Sequence, residues 1–207
     1  AALAVDPEQL FADMVGCGSV KAKLKALKST IAFSQQRGKD PLEELEMNFF
    51  FAGAPGTGKT TAARKMGQMF AALGLLGTAK VVECSASDFV TGYAGQASGK
   101  TREIFKSALG GVLFVDEAYR LHPQKGGVMM SEVLDEIVQI LTETQFKNKM
   151  AVIFAGYEEE LNSLLTVNPG LKSRISESLS FEDFGIKDCC ALLRASLKKK
   201  GLGLGGE

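Results

Sequence analysis

The chain has no tryptophan, one histidine, four cysteines and five prolines in 207 residues. Each scarcity removes a class of chemistry. Cys17, Cys84, Cys189 and Cys190 form no Cys-x-x-Cys pair, and His122 alone cannot complete a Cys/His cluster, so these spacings exclude a zinc site. The thiols read as reduced, which points to an intracellular, reducing compartment, the cytoplasm first, with nucleus and plastid left open. Net charge is missing as well, because 24 Lys+Arg face 24 Asp+Glu. Nucleic acid is therefore a disfavoured partner, and only local basic patches remain. No apolar run approaches the roughly 18 residues that span a bilayer, so no membrane role is expected. Residues 1–5 are apolar but lack the length and basic flank of a signal peptide, and the missing initiator Met suggests a processed or excised chain.

What is present is ordinary globular composition, 45% hydrophobic and 23% charged, which excludes a disordered chain, a collagen and a coiled coil. The length suits one domain, or one with a fragment of another. Residues 6–14 read as a short helix with Pro7 at its first position. Val20, Leu24, Leu27 and Ile31 recur at helical spacing, with Ser19 as the expected N-cap. The pattern then changes. Unalternated apolar runs at 49–52, 80–84, 112–115 and 151–155, with a weaker one at 178–181, alternate with helical stretches near 59–73, 97–108, 130–144 and 158–166. Buried strands alternating with helices predict a parallel sheet covered on both faces, a doubly wound α/β sandwich. A last amphipathic helix is expected over 186–200, with Cys190, Leu193 and Leu197 on one stripe and one of Cys189 and Cys190 facing the core. A flexible tail follows.

The strongest chemical signal is Gly53-Ala54-Pro55-Gly56-Thr57-Gly58-Lys59-Thr60, a full match to the phosphate-binding pattern G-x-x-x-x-G-K-[ST]. It follows an apolar strand and opens a helix, as its mechanism requires. Glycines let successive N–H groups turn toward phosphate oxygens, and the helix N-terminus adds its positive end. Lys59 supplies a point charge for the β- and γ-phosphates, and the Thr60 hydroxyl can ligate Mg²⁺. Pro55, Gly56, Thr57, Gly58 and Thr61 complete the expected cradle. The second signal is Val112-Leu113-Phe114-Val115-Asp116-Glu117, a buried strand ending in two carboxylates. In open α/β sheets ligand chemistry sits at that end. Asp116 would hold Mg²⁺, and Glu117 would act as general base toward water. A carboxylate poised for water attack favours a nucleoside triphosphatase over a kinase. No Asn-Lys-x-Asp segment offers a guanine site, so ATP and ADP are the expected nucleotides.

Together these motifs resemble the AAA+ ATPases, and most nearly their CbbX/CfxQ branch, which includes the sporulation stage V protein K group. The resemblance covers about residues 8–184. It rests on Met14-Val15-Gly16 with Val20-Lys21, on 53–60, on 111–119, and on Phe154-Ala155-Gly156-Tyr157 with Asn168-Pro169-Gly170-Leu171-Lys172-Ser173-Arg174. It implies a P-loop three-layer sandwich with a five-stranded parallel sheet in the order 5-1-4-3-2, a hexameric ring, and ATP-driven remodelling of a protein client that the residues leave unknown. It also implies that Val15 and Gly16 line the adenine pocket, and that Arg174 is an arginine finger acting on the neighbouring subunit's nucleotide. Tyr157 stands in the sensor-1 slot, where it would orient water or simply pack. Tyr93-Ala94-Gly95 would form a pore loop gripping a polypeptide, or Tyr93 would pack on its own domain. The domain reading is 1–184 for the nucleotide-binding unit and 185–207 for the first helix of a truncated helical lid with a tail, a fragment that could be monomeric and weak in turnover. Two other readings keep the nucleotide: an assembly switch with little turnover, and a DNA-acting loader, which the zero net charge disfavours.

Overall fold

The computed structural model describes residues 6–45, 47–90, 96–175 and 177–201. Its centre is a five-stranded, all-parallel sheet: β1 (Asn48–Gly53), β2 (Val81–Ser85), β3 (Val112–Asp116), β4 (Ala151–Gly156) and β5 (Glu177–Phe181). The spatial order is β2-β3-β4-β1-β5, the order expected from the resemblance. The register pairs Phe50 with Phe154 and with Ser178, and Phe114 with Ile153. β1 and β4 lie inside the sheet and are buried almost throughout, which is why their sequences do not alternate. β5 is an edge strand, and it alternates: Leu179 and Phe181 are buried while Glu177, Ser178 and Ser180 are exposed.

The period of two along each inner strand divides the core into two layers. Phe50, Ala52, Leu113, Val115, Val152 and Phe154 face one side, and Phe49, Phe51, Val112, Phe114, Ile153 and Ala155 the other. The first layer is closed by α5 (Ala97–Ser107), α6 (Pro123–Ile140) and α7 (Glu158–Val167). The second is closed by α2 (Gly18–Gln36) and α4 (Lys59–Ala72), with the one-turn α1 (Pro7–Leu10) and α3 (Pro41–Glu44) nearby. Aromatic pairs pack within this second layer, with ring centroids 5.9 Å apart for Phe49–Phe70 and 5.0 Å for Phe51–Phe181. α8 (Pro169–Lys172) leads into β5, and α9 (Ile186–Lys199) follows it.

Several local expectations are corrected. The first helix is a single turn, 7–10, because the chain bends at 11–13 so that Phe11 and Met14 enter the core. Cys17 rather than Ser19 stands at the N-cap of α2. Ser19 lies inside the helix, and its hydroxyl donates to the Ser180 carbonyl at 3.2 Å, tying α2 to β5. The helix expected at 130–144 ends at Ile140 and is preceded, across a kink at Gly127, by a first helical turn from Pro123, where the His122 ring accepts from the Gln124 N–H at 3.2 Å and Pro123 occupies the first position. Cys189 and Cys190 are both exposed, as are Ile186 and Leu193, so neither cysteine faces the core, while Leu197 of the same expected stripe is half-buried. Among the described residues no helix is long and apolar enough to cross a membrane.

Candidate active site

β1 ends at Gly53, and the next five residues wrap over the strand end before α4 starts. Gly58 takes a left-handed conformation (φ 93°) at the N-cap of α4, which few residues other than glycine adopt. No acidic side chain occupies the first turn of α4, and no side chain caps it, so its N–H groups are directed at the loop's concavity. Thr57 is buried, and its hydroxyl donates to the Ala54 carbonyl at 2.8 Å, stapling the loop. The Lys59 ammonium donates to the carbonyls of Gly53 (2.8 Å) and Ala54 (2.7 Å). Its burial pushes its pKa down, and the nearby Asp116 carboxylate opposes that shift.

Because β4 separates β1 from β3, the Asp116-Glu117 pair stands two strands from the loop, with Gly156 and Tyr157 between them. All three strand ends face one cavity of about 390 Å³. The sequence-expected residues Pro55, Gly56, Gly58, Lys59, Thr60 and Thr61 line it from the loop side; Asp116, Glu117 and Tyr157 line it from the other. Asp116 accepts from the Glu117 N–H at 2.9 Å. Glu117 is itself left-handed (φ 49°), and its Oε1 accepts from the Tyr119 hydroxyl at 3.1 Å and from Arg120 at 3.2 Å.

The remaining expected residues lie outside this cavity. Val15 and Gly16 form the turn between α1 and α2. Lys65 of α4 holds that segment by donating to the Leu10 carbonyl at 2.6 Å and pairing with Asp13 at 2.7 Å. Met14, one residue before, reaches the loop: a Cβ on Gly58 would come within 3.3 Å of it. Arg174 lies at the opposite edge of the sheet, where Asn48 at the start of β1 donates to its carbonyl at 3.0 Å. Its guanidinium donates to the Gly170 carbonyl at 2.5 Å, and its Nε is buried without a partner among the described residues. Tyr93, Ala94 and Gly95 lie outside the described residues.

Three cavity residues were not singled out from sequence: Gly53, Tyr119 and Gly156. Gly53 is the first glycine of the phosphate pattern, and its place there was the available signal. Tyr119 stands two residues beyond the acidic pair. Gly156 leaves room for the Tyr119 ring, since a Cβ there would come to 3.0 Å of it.

The family described as "ATPase family associated with various cellular activities (AAA)" matches residues 49–182. Stage V sporulation protein K of Bacillus subtilis is 32% identical over 204 residues, covering 97% of this chain and 62% of that protein. A chloroplastic ribulose bisphosphate carboxylase/oxygenase activase of Cyanidioschyzon merolae is 33% identical over 180 residues, 86% of this chain and 61% of the relative. A CfxQ homolog of Galdieria sulphuraria is 35% identical over 179 residues, 85% and 58% respectively. The chain thus spans about three fifths of the length of these relatives.

Proposed function

The chain belongs to the AAA family of ATPases, and on that premise we propose that it binds ATP in the cleft at the C-terminal edge of its sheet and hydrolyses it to drive rearrangement of a protein partner. The observation that carries this is the convergence of a buried Lys59 ammonium, an uncapped helix N-terminus and the Glu117 carboxylate on one cavity. The N–H groups of α4 and the Lys59 ammonium take the β- and γ-phosphates. To do so the ammonium exchanges a carbonyl partner for phosphate oxygen, whose negative charge opposes the downward pull of burial on its pKa. The turn at Val15 and Gly16, docked beside the loop through Met14, takes the adenine side. Glu117 accepts a proton from the attacking water.

Thr60 and Asp116 are hard oxygen donors that line the same cavity, and they fit Mg²⁺. Among the described residues no group of three or more His, Cys, Asp or Glu could cage a metal, so the ion's other ligands would be phosphate oxygens and water. When bound, Mg²⁺ supplies positive charge that polarises the phosphate oxygens.

Arg174 completes the site from a neighbouring copy. Within its own chain it sits beside Asn48, five strand residues from Gly53, about 16 Å at the ordinary rise of a strand. No arginine side chain covers that distance, so a role at the γ-phosphate requires a second subunit, which supports the ring. The division into 1–184 and a lid helix from 185 belongs to this reading, as do the Tyr157 sensor role and the pore loop at Tyr93. One relative is named as the activase of another enzyme, which supports a protein client here too.

The test is Mg-ATP turnover per chain across a wide range of protein concentration. Specific activity that climbs with concentration, and that Arg174→Ala abolishes without loss of ATP binding, is the expected result. A rate independent of concentration and of Arg174 overturns the shared site.

A further inference from the structure

Glu117 occupies a left-handed backbone region (φ 49°) that non-glycine residues enter rarely and under strain. Its surroundings explain what maintains it. Both Tyr119 and Arg120 donate to the same oxygen, Oε1. Oε2 has no hydrogen bond among the described residues. The Tyr119 ring is in turn fixed on several sides. The Lys125 ammonium lies 4.3 Å from its centroid, Tyr157 is tilted against it at 6.0 Å, and Gly156 runs close beneath. Lys125 is anchored by Glu160 of α7 at 2.7 Å. The phenol is thus aimed by α6, β4 and α7 together.

We propose that Tyr119 and Arg120 are positioning residues for the general base: they tie down Glu117 Oε1 so that Oε2 alone is presented to the attacking water. The inference rests on the hydrolytic reading above and adds to it. A carboxylate free to rotate would divide its time among rotamers and present either oxygen. A doubly held Oε1 removes that freedom before the nucleotide arrives. Neither residue is required to touch the nucleotide, so the effect belongs in the chemical step and not in binding.

The experiment uses Tyr119→Phe, which keeps the ring under Lys125 and removes only the hydroxyl, and Arg120→Gln, with Arg120→Lys as the conservative partner. At protein concentrations where wild-type specific activity has reached its plateau, each of the first two should lower kcat about fivefold to tenfold with KM for ATP unchanged within twofold, and Arg120→Lys should recover part of the loss. In a Glu117→Gln background, Tyr119→Phe should cost nothing further, because the group it orients is gone. A readout independent of turnover is the ring ¹³C signal of labelled tyrosine. The chain has three tyrosines, so Tyr119 is assigned by its loss in Tyr119→Phe. Glu117→Gln should shift that signal more than the other two.

A kcat unchanged in Tyr119→Phe, an additive loss in the double variant, or a Tyr119 signal indifferent to Glu117→Gln overturns the proposal. A wild-type chain that binds ATP without hydrolysing it contradicts the functional reading instead, and the Tyr119 signal then decides the clasp by itself.

Discussion

Gly53 is the residue at which the sheet and the phosphate loop constrain each other most tightly. It is the last residue of β1 and pairs in register with Phe181 of β5. A Cβ built there lies 2.4 Å from the Phe181 carbonyl oxygen and 2.9 Å from its Cβ, and ordinary contact begins near 3.4 Å. Gly53→Ala must therefore move β5 or the loop by about 1 Å. The offending atom is backbone in a hydrogen-bonded ladder, so it cannot swing aside as a side chain would. Overpacking of this kind costs about 3 kcal/mol. For a chain of this size each kcal/mol lowers Tm by about 2–4 °C, so a drop of about 6–12 °C is expected in thermal unfolding followed by circular dichroism. The loop is disturbed as well, because the Gly53 carbonyl is an acceptor for Lys59, and ATP affinity should fall at least about tenfold. Gly56→Ala is the matched control. Gly56 has a positive φ of 81° but nothing within 4 Å of a new Cβ, so only backbone strain of about 1–2 kcal/mol applies. If Gly53→Ala melts within 2 °C of the wild type, or no lower than Gly56→Ala, the close-approach argument is wrong.

Three further outcomes follow from the same geometry. Lys59→Ala should weaken ATP binding about 10- to 100-fold through the lost charge-assisted bonds, yet leave Tm unchanged or slightly higher, since water in the cavity can satisfy the two carbonyls and a desolvated ammonium is removed; isothermal titration and thermal melting separate the two effects. Arg102 joins α5 to the end of α6, pairing with Glu136 at 2.5 Å and Glu143 at 2.7 Å, and it holds the Glu143 carboxyl below the usual carboxylate range. A depressed carboxylate stabilises the fold above its unfolded pKa of about 4.3 and loses that contribution as pH falls through the folded value. The Tm gap between wild type and Arg102→Met should thus be constant from pH 6 to 8 and narrow toward pH 3, and a gap that widens in acid contradicts the pairing. Burial pushes the Cys84 thiol up to about 12 and raises Cys17, while Cys189 and Cys190 are exposed. Ellman's reagent at pH 8 should count two fast thiols in the native chain and four after denaturation, and a third fast thiol would contradict the placement of Cys17 or Cys84.

The sheet was legible because its inner strands are buried on both faces and leave runs with no polar interruption, as in 49–52 and 151–155. The phosphate loop was legible because its chemistry demands particular residues at particular spacings within eight positions. Tyr119 was less visible. Nothing local distinguishes a tyrosine that packs from one that orients a carboxylate, and its setting is made by Lys125, Gly156 and Tyr157 on three other segments. The early start of α6 had a signal in His122-Pro123, but glycines at 126 and 127 interrupted the apolar pattern, and Gly127 does leave helical geometry there (φ 64°, ψ −153°). The exposed stripe of α9 illustrates the limit of periodicity. Ile186 and Leu193 carry a helical apolar pattern and are more than half exposed, because amphipathicity states that a face is apolar and not what covers it.

The central claim is that one cavity both holds ATP and presents a general base to water. The most direct measurement pairs equilibrium ATP binding with phosphate release, for wild type and Glu117→Gln, in the presence of Mg²⁺ and at protein concentrations high enough for self-association. The account predicts similar affinity for both proteins, phosphate release by the wild type, and a fall in release of about 100-fold or more in Glu117→Gln. Equal release by the two proteins, or failure of the wild type to bind ATP at all, would contradict it.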